Sequence, residues 1–343
     1  MSRLTITEVA RRLKVSPGTV SRVLNHRPNT GISPTTRSMV LRECQKLGYK
    51  PNALARALVT RENPAIGLLC DSLLDYNVMR AVEAGLTFAT RHGRHVVIAT
   101  DLDENSWQNL LREGRVGWVI TLARKIPGEL DRDRLEKDLL DRVIRIWEGP
   151  MQAPSESPFT VTWDSRVAGN LAVEHLAELG HREIAVLAGP YLEPDLHRFP
   201  RIAASYVRGR ELGLTVRWIT HPDERRENIP DSGRIMMRMV LDEFPDVTAV
   251  ICRQDYHAVG VYRELAGRNK RIPDDIAVVG HQNLQPGLHL HPPLTSVENP
   301  VTEALRTAIQ FAVEGPGVFA GPVCDLTHLY RLIPRASTIK EGP

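Results

Sequence analysis

The run Val15-Ser16-Pro17-Gly18-Thr19-Val20-Ser21-Arg22-Val23-Leu24-Asn25 does most to limit the folds open to this chain. Ser16 can accept from the free N–H groups that open a helix, and Pro17 suits the first helical turn. Val20, Val23 and Leu24 then share one face, three and four residues apart. Ser21, Arg22 and Asn25 face elsewhere, so a short polar helix is presented outward. The segment before it is built the same way. Thr5-Ile6-Thr7-Glu8 reads as a capping box, and Ile6, Val9, Ala10 and Leu13 make its apolar stripe. Lys14-Val15 leaves room only for a tight turn, and two short helices joined so closely form a helix-turn-helix. A third helix is expected from a Ser33 cap and Pro34 to Gly48, with Val40, Leu41, Cys44 and Leu47 inward.

Charge separates this segment from the rest. Residues 1–62 hold 12 Lys+Arg against 3 Asp+Glu, whereas the remainder holds 32 against 38. A basic end on a mildly acidic body suits a protein that touches nucleic acid at one end only. At 343 residues, 42% of them hydrophobic, the chain can build more than one sizeable core. Cys44, Cys70, Cys252 and Cys324 form no C-x-x-C pair and read as small buried residues in a reducing compartment. There is no apolar signal region and no run of 18 apolar residues, so a cytoplasmic protein without membrane contact is expected.

Beyond residue 62, short apolar strands alternate with helices. Strands are expected at Ile66–Cys70, Val96–Ala99, Trp118–Ile120, Val143–Trp147 and Phe159–Trp163. They continue at Ile184–Ala188, Val216–Ile219, Ala249–Cys252 and Ile276–Gly280. Helices are expected over 76–92, after Asp103, over 165–180 and 202–212, through the core-filling Met236, Met237 and Met239, and up to Gly267. Pro150 to Pro158 reads as a loop. Continuous apolar strands between helices imply parallel sheets covered on both faces, and this many strands suits two doubly wound units.

The N-terminal motifs resemble a known family. Thr5-Ile6 followed by Val9-Ala10, the run Val15 to Asn25, and Leu47-Gly48-Tyr49 with Pro51-Asn52-Ala53 and Ala55-Arg56 look like the headpiece and hinge of the lactose-repressor (LacI/GalR) family of bacterial transcription regulators. The resemblance implies a headpiece over 1–48, a hinge over 49–62 and an effector-binding, dimerising body over 63–343. It implies operator contacts from Thr5, Ser16, Pro17, Gly18, Thr19, Ser21, Arg22, Asn25, Tyr49, Asn52, Ala55 and Leu58. Pro17 and Gly18 carry no hydrogen-bonding side chain, so Arg22 must do much of the major-groove reading. Thr5, Thr19, Ser21 and Asn25 suit phosphates. Asn52 to Leu58 is too short to be a stable helix alone; it resembles a segment that folds on DNA, with Leu58 wedged into the minor groove.

The body resembles the same family. Asp164 with Gly169, Ala172, His175-Leu176 and Leu179-Gly180-His181 fits it, as do Asp255 with Val259-Gly260, Ile272-Pro273 with Asp275-Ile276, and Pro292-Pro293-Leu294-Thr295-Ser296-Val297. This implies an α/β body of two doubly wound parallel-sheet subdomains, periplasmic-binding-protein-like, behind an all-α helix-turn-helix headpiece. The expected subdomains are 63–162 plus 293–323, and 163–292 plus 324–343. A homodimer, a palindromic operator and a small carbohydrate effector in the cleft are implied, with repression the commoner outcome. The C-terminus carries no apolar heptads, so a dimer is expected rather than a tetramer. Carried over position by position, the effector residues are Asp71, Arg124, Trp147, Asp164, Arg201, Asp255 and Gln282.

The chain departs from the family pattern in its cleft. The usual Asn-Asp is Gln254-Asp255, the usual Gly-aromatic-Asp-Asp is Gly280-His281-Gln282-Asn283, and the Gly-aromatic pair after Arg201 is Ala204-Ser205. The Asn-Pro-aromatic motif is missing around Leu74-Asp75-Tyr76. Arginines with fewer acids favour an anionic ligand such as a sugar acid or sugar phosphate. The sequence has no dinucleotide, P-loop, nucleophile-elbow or zinc-protease signature. His289-Leu290-His291 runs into prolines and reads as a loop, and Asp101, Asp103, Asp131 and Asp133 as strand-end or surface charges. A regulator without cofactor or metal is therefore expected rather than a sugar-active enzyme with a DNA-binding appendage. The basic headpiece predicts that DNA affinity falls steeply between about 50 and 200 mM salt, because each neutralised phosphate releases counterions. A filter-binding series that stays flat over that range would overturn this.

Overall fold

The computed structural model describes residues 5–24, 31–47, 49, 65–70, 72–73, 76–100, 106–122, 137–148, 157–197, 199–221 and 228–339. The chain separates into two units, Met1–Pro64 and Ala65–Pro343. Asn25, Asn52, Ala55 and Leu58, with the hinge beyond Tyr49, lie outside the described residues, as do Asp71, Asp101, Asp103, Arg124, Asp131 and Asp133.

The first unit holds α1 (Ile6–Leu13), α2 (Pro17–Leu24) and α3 (Pro34–Lys46). The capping box of α1 forms: the Glu8 amide donates to the Thr5 hydroxyl at 3.3 Å and the Thr5 amide to the Glu8 carboxylate at 2.7 Å. Lys14 closes α1 in the left-handed region at φ 52°, which turns the chain within two residues. Val9, Ala10, Val20, Val23, Val40 and Cys44 form the core. Leu41, expected inside, is exposed. Val40 and Cys44, four apart, fill the buried stripe of α3, and Leu41 falls beside it.

The second unit has two six-stranded sheets. β1 (Ala65–Leu69), β2 (His95–Ala99), β3 (Trp118–Thr121), β4 (Val143–Glu148) and β5 (Phe159–Trp163) build the first. β6 (Glu183–Gly189), β7 (Thr215–Thr220), β8 (Ala249–Cys252), β9 (Ala277–His281) and β10 (Thr295–Glu298) build the second. β11 (Val323–Asp325) joins the first sheet and β12 (Arg331–Ile333) the second. The orders are β11-β5-β4-β3-β1-β2 and β12-β10-β9-β8-β6-β7. All pairs are parallel except β10 with β12. Helices α4 (Tyr76–Arg91), α5 (Ser106–Arg112) and α6 (Lys137–Leu140) belong with the first sheet. α7 (Arg166–Glu178), α8 (Pro200–Glu211), α9 (Ile229–Glu243), α10 (Asp255–Gly267) and α11 (Gln285–His289) belong with the second, and α12 (Val301–Glu314) returns to the first.

The subdomain boundaries differ from expectation at two of three crossings. Residues 295–298 pair with Val279–His281, so β10 stays in the second sheet and the chain crosses after Glu298. Residues 323–325 pair with Thr160–Thr162, so the last crossing follows Asp325. Pairing decides both: β10 has its backbone partners in the other sheet from the one expected, and β11 carries the last crossing two residues beyond the expected 323.

Apolar packing fixes each layer. Phe311 of α12 stacks on Phe159 with centroids 4.2 Å apart and meets Trp118 edge-on at 5.7 Å. In the second subdomain α7 and α8 touch backbone to backbone. A Cβ at Gly169 would stand 2.0 Å from the Arg201 carbonyl oxygen and 2.8 Å from the Ser205 amide. Neither obstacle is a side chain that can swing away. Gly169→Ala should therefore cost about 3 kcal/mol in urea unfolding, the upper end of ordinary overpacking. A loss under about 1 kcal/mol would show that the helices part easily.

Candidate functional site

At the carboxyl edge of the second sheet, Asp255 opens α10 after β8 and is fully buried. One carboxylate oxygen accepts from the Leu284 amide at 2.6 Å and the other from the Ser296 hydroxyl at 2.7 Å. The side chain thus ties three segments together and has no oxygen turned to a ligand. Burial pushes its pKa up to about 7, against the two hydrogen bonds and the charges of Arg335 and Arg80. Asp164, after β5, is committed as well: it accepts from the Arg166 amide and pairs with the Arg166 guanidinium at 2.6 Å.

Arg201 is the second residue of α8, and its side chain is 13% exposed. Its nearest acid is Glu148, 3.6 Å away at the end of β4, so the pair spans the two subdomains. The Arg201 Nε has no partner. Arg201 also acts on His281, the last residue of β9. The His281 Nδ1 lies 2.8 Å from the Cys252 carbonyl. Burial and then the Arg201 charge hold the imidazole neutral, with its pKa down to about 3; the Cys252 and Ala168 backbones oppose the shift. His281 is therefore a backbone-bound core residue whose Nδ1 is engaged, leaving Nε2 buried without a partner as an acceptor rather than a donor.

Gln282 follows at φ 92° and is buried, with its Oε1 unpartnered. Its carbonyl accepts from Arg80 Nη2 at 3.3 Å, and the Asn283 carbonyl accepts from Arg80 Nη1 at 3.1 Å. Arg80 belongs to α4, so this is a second bridge between the subdomains. Tyr76 of α4 and Tyr256 of α10 make a third, with ring centroids 5.2 Å apart. Trp147 precedes Glu148 at the end of β4, and its indole N–H is buried without a partner. Around the second subdomain's rim, Tyr191 stacks on Phe199 and lies under the Arg253 guanidinium at 5.4 Å.

The sequence therefore pointed to four residues that the fold brings to the subdomain boundary: Trp147, Asp164, Arg201 and Gln282. It also pointed to Asp255, which is buried behind the boundary. Glu148 and Arg80 were missed. Glu148 had a usable signal, an acid at the carboxyl end of a buried strand. Arg80 had none, because its partners are main-chain atoms about 200 residues away.

In the first unit, Ser16 caps α2, accepting from the Thr19 amide at 3.0 Å, and its hydroxyl lies 2.9 Å from that of Thr19. Pro17, Gly18 and Arg22 are exposed on α2, with Thr19 and Ser21 half-buried. The Arg22 Nε donates to the Gly18 carbonyl at 3.2 Å. Thr5 is spent on capping α1. Tyr49 packs half-buried against the headpiece core, its amide on the Cys44 carbonyl at 2.9 Å, and burial raises its phenol pKa.

Comparison with known proteins decides the family. Residues 5–52 match the bacterial regulatory proteins of the lacI family, and residues 173–338 match the periplasmic binding protein-like domain. The HTH-type transcriptional regulator CelR of Thermobifida fusca is 32% identical over 313 residues, 87% of each chain. The chain belongs to the lacI family. Catabolite control protein A of Priestia megaterium is 28% identical, over 90% of this chain and 91% of its own. Among solved structures, a Lac repressor dimer bound to operator and an anti-inducer superposes with a TM-score of 0.76 at 24% identity. It covers 98% of this chain and all of that one. A CelR–cellobiose complex superposes at 0.58 with 26% identity and the same coverage. The chain is thus a DNA-binding transcriptional regulator with a headpiece and a two-subdomain body, and no helix among the described residues is long and apolar enough to cross a membrane.

This LacI-family cleft carries two buried groups with opposite linkage. Asp255 has its folded pKa raised from 3.8, so over about pH 4 to 7 the folded state keeps a proton that the unfolded chain has lost, and stability falls as pH rises. His281 has its folded pKa lowered from 6.5, so over about pH 3 to 6.5 only the unfolded chain takes up the proton, and stability rises with pH. Where the windows overlap, the slopes cancel. Asp255→Asn should expose a rise of up to about 1.4 kcal/mol per pH unit, and His281→Phe a fall. Urea unfolding at pH 4.5 and 6 checks this; slopes of the same sign in both variants would contradict it.

Proposed function

We propose that this regulator is a cytoplasmic, dimeric repressor, not an enzyme. It grips a palindromic operator through α2 and is controlled by a small effector that carries hydroxyls at one end and an acid group at the other. Four side chains at the facing strand and helix ends support the effector reading. Trp147 Nε1, Arg80 Nε and Arg201 Nε are buried donors, and Gln282 Oε1 is a buried acceptor, all without protein partners. Buried polar groups cost free energy unless bonded, so such a set marks where a polar ligand fits. Donors dominate it. Arg201 supplies charge and unspent N–H groups for a carboxylate or phosphate, and Gln282 can accept from a hydroxyl. Asp71 and Arg124 remain assigned from the family resemblance. The enzyme reading lacks support because the acids named at or behind the boundary are engaged: Glu148 faces Arg201, Asp164 pairs with Arg166, and Asp255 accepts from Leu284 and Ser296.

The DNA reading rests on the basic headpiece and on the exposed face of α2. We assign direct base contact to Arg22. Ser16, Thr19, Ser21 and Asn25 are assigned to phosphates, and Tyr49, Asn52, Ala55 and Leu58 to the hinge contact; Thr5, its hydroxyl held by Glu8, is left to cap α1. The Lac repressor neighbour is described as a dimer on its operator, a mode that suits this chain, and the CelR neighbour as a complex with cellobiose, a neutral sugar of the kind set against acids below.

Titration calorimetry tests the effector class. Aldonic acids and hexose phosphates should bind at least tenfold more tightly than the matching neutral sugars. Arg201→Ala should remove that preference, and Glu148→Gln, which deletes the competing carboxylate, should strengthen anion binding several-fold. Tighter binding of a neutral sugar, or anion binding indifferent to Arg201→Ala, would overturn the anionic assignment.

A further inference from the structure

We infer that Gly18 is a positioning residue for base readout: having no side chain, it lets the Arg22 guanidinium lie back over the first turn of α2. There the guanidinium offers its terminal Nη1/Nη2 edge to a guanine, in the space that a residue-18 side chain would fill. The inference rests on α2 being the DNA-reading helix.

Three observations carry it. Residues 18 and 22 are four apart, so they are neighbours on the helix surface, and a helical side chain leans toward the N-terminus over the preceding turn. The Arg22 Nε donates to the Gly18 carbonyl at 3.2 Å, which fixes the guanidinium in that place. A Cβ built on Gly18 would stand 3.9 Å from Arg22 Nη2 and 3.7 Å from Ser16 Oγ. Both are ordinary contacts, so a methyl group fits underneath. Anything longer must enter the space the guanidinium holds.

The chemistry follows from what is spent and what is left. Nε is used by the helix's own backbone, so the paired Nη1 and Nη2 donors remain for O6 and N7 of guanine. Pro17 and Gly18 have no donor or acceptor beyond the main chain. One pre-placed arginine then supplies the principal direct base contact of each headpiece. Holding it before DNA arrives also lessens the side-chain entropy lost on binding.

Selection of operators from a randomised pool, with full-length chain, finds the preferred site; affinities for it and for single-pair variants then test the idea. Gly18→Ala, which adds only a methyl group in ordinary contact with the guanidinium, should lose far less discrimination than Gly18→Leu. Gly18→Leu should lose about tenfold or more of the discrimination at the same G·C pair that Arg22→Ala affects, with binding to non-specific DNA unchanged. Both substitutions favour the helix over glycine at an exposed position, so folding is not the obstacle. A Gly18→Leu protein that discriminates like wild type, or a Gly18→Ala protein that loses as much as the leucine variant, overturns the inference. Wild-type protein without any sequence preference would instead remove the DNA-reading assignment on which it rests.

Discussion

The buried carboxylate of Asp255 is the contact on which the ligand-facing edge of the second sheet depends. It holds the start of α10, the Leu284 backbone and the Ser296 hydroxyl of β10 around one point. Its neighbour Gly280 cannot be anything larger, because a Cβ there would stand 2.1 Å from a carboxylate oxygen. Removing one partner of such a buried set leaves the others unsatisfied, which costs more than the bond itself contributes. The loop that follows, with Gln282 and Asn283 both at positive φ, is shaped by this anchor. Gln282 can keep an unpartnered oxygen because the surrounding structure over-determines its backbone.

Among the described residues, polar and aromatic contacts of three kinds join the two subdomains near that edge. Arg80 donates to two carbonyls, Arg201 faces Glu148, and Tyr76 meets Tyr256. The Arg201–Glu148 contact is the one that an acidic ligand group can replace with like chemistry. Binding would then exchange one carboxylate for another at the same guanidinium. A ligand shifts a two-state equilibrium only through such differential contacts.

Much of this was legible in the sequence where the physics is local. The capping box at Thr5 and Glu8, the Ser16 cap and the Pro34 start depend on residues three apart, and they stand as expected. Nine apolar runs became strands, seven of them largely buried, with β2 and β7 more exposed as the end strands of their sheets. The four-residue β10 and the three-residue β11 carry no useful periodicity, and their sheet is chosen by partners far away, so the crossing expected near 292 falls after Glu298 and the one expected near 323 falls after Asp325. Asp255 was legible as an acid at a strand end, but not as one whose oxygens are both taken. That depends on Ser296, 41 residues on. Leu41 was misjudged because α3 buries a narrower stripe than its apolar residues suggest.

The grip of Arg80 has a consequence for how such a protein changes over time. It holds residues 282 and 283 by their carbonyl oxygens, which every amino acid possesses. Side chains at those two positions can be exchanged, within what their positive φ and the Arg335 and Glu298 bonds of Asn283 allow, without removing the atoms that Arg80 grips. Mechanical linkage and chemical taste are thereby assigned to different atoms of the same residues. A lineage can retune which molecule it senses, as the amides standing here in place of the family's usual acids illustrate, while keeping the movement that reports it.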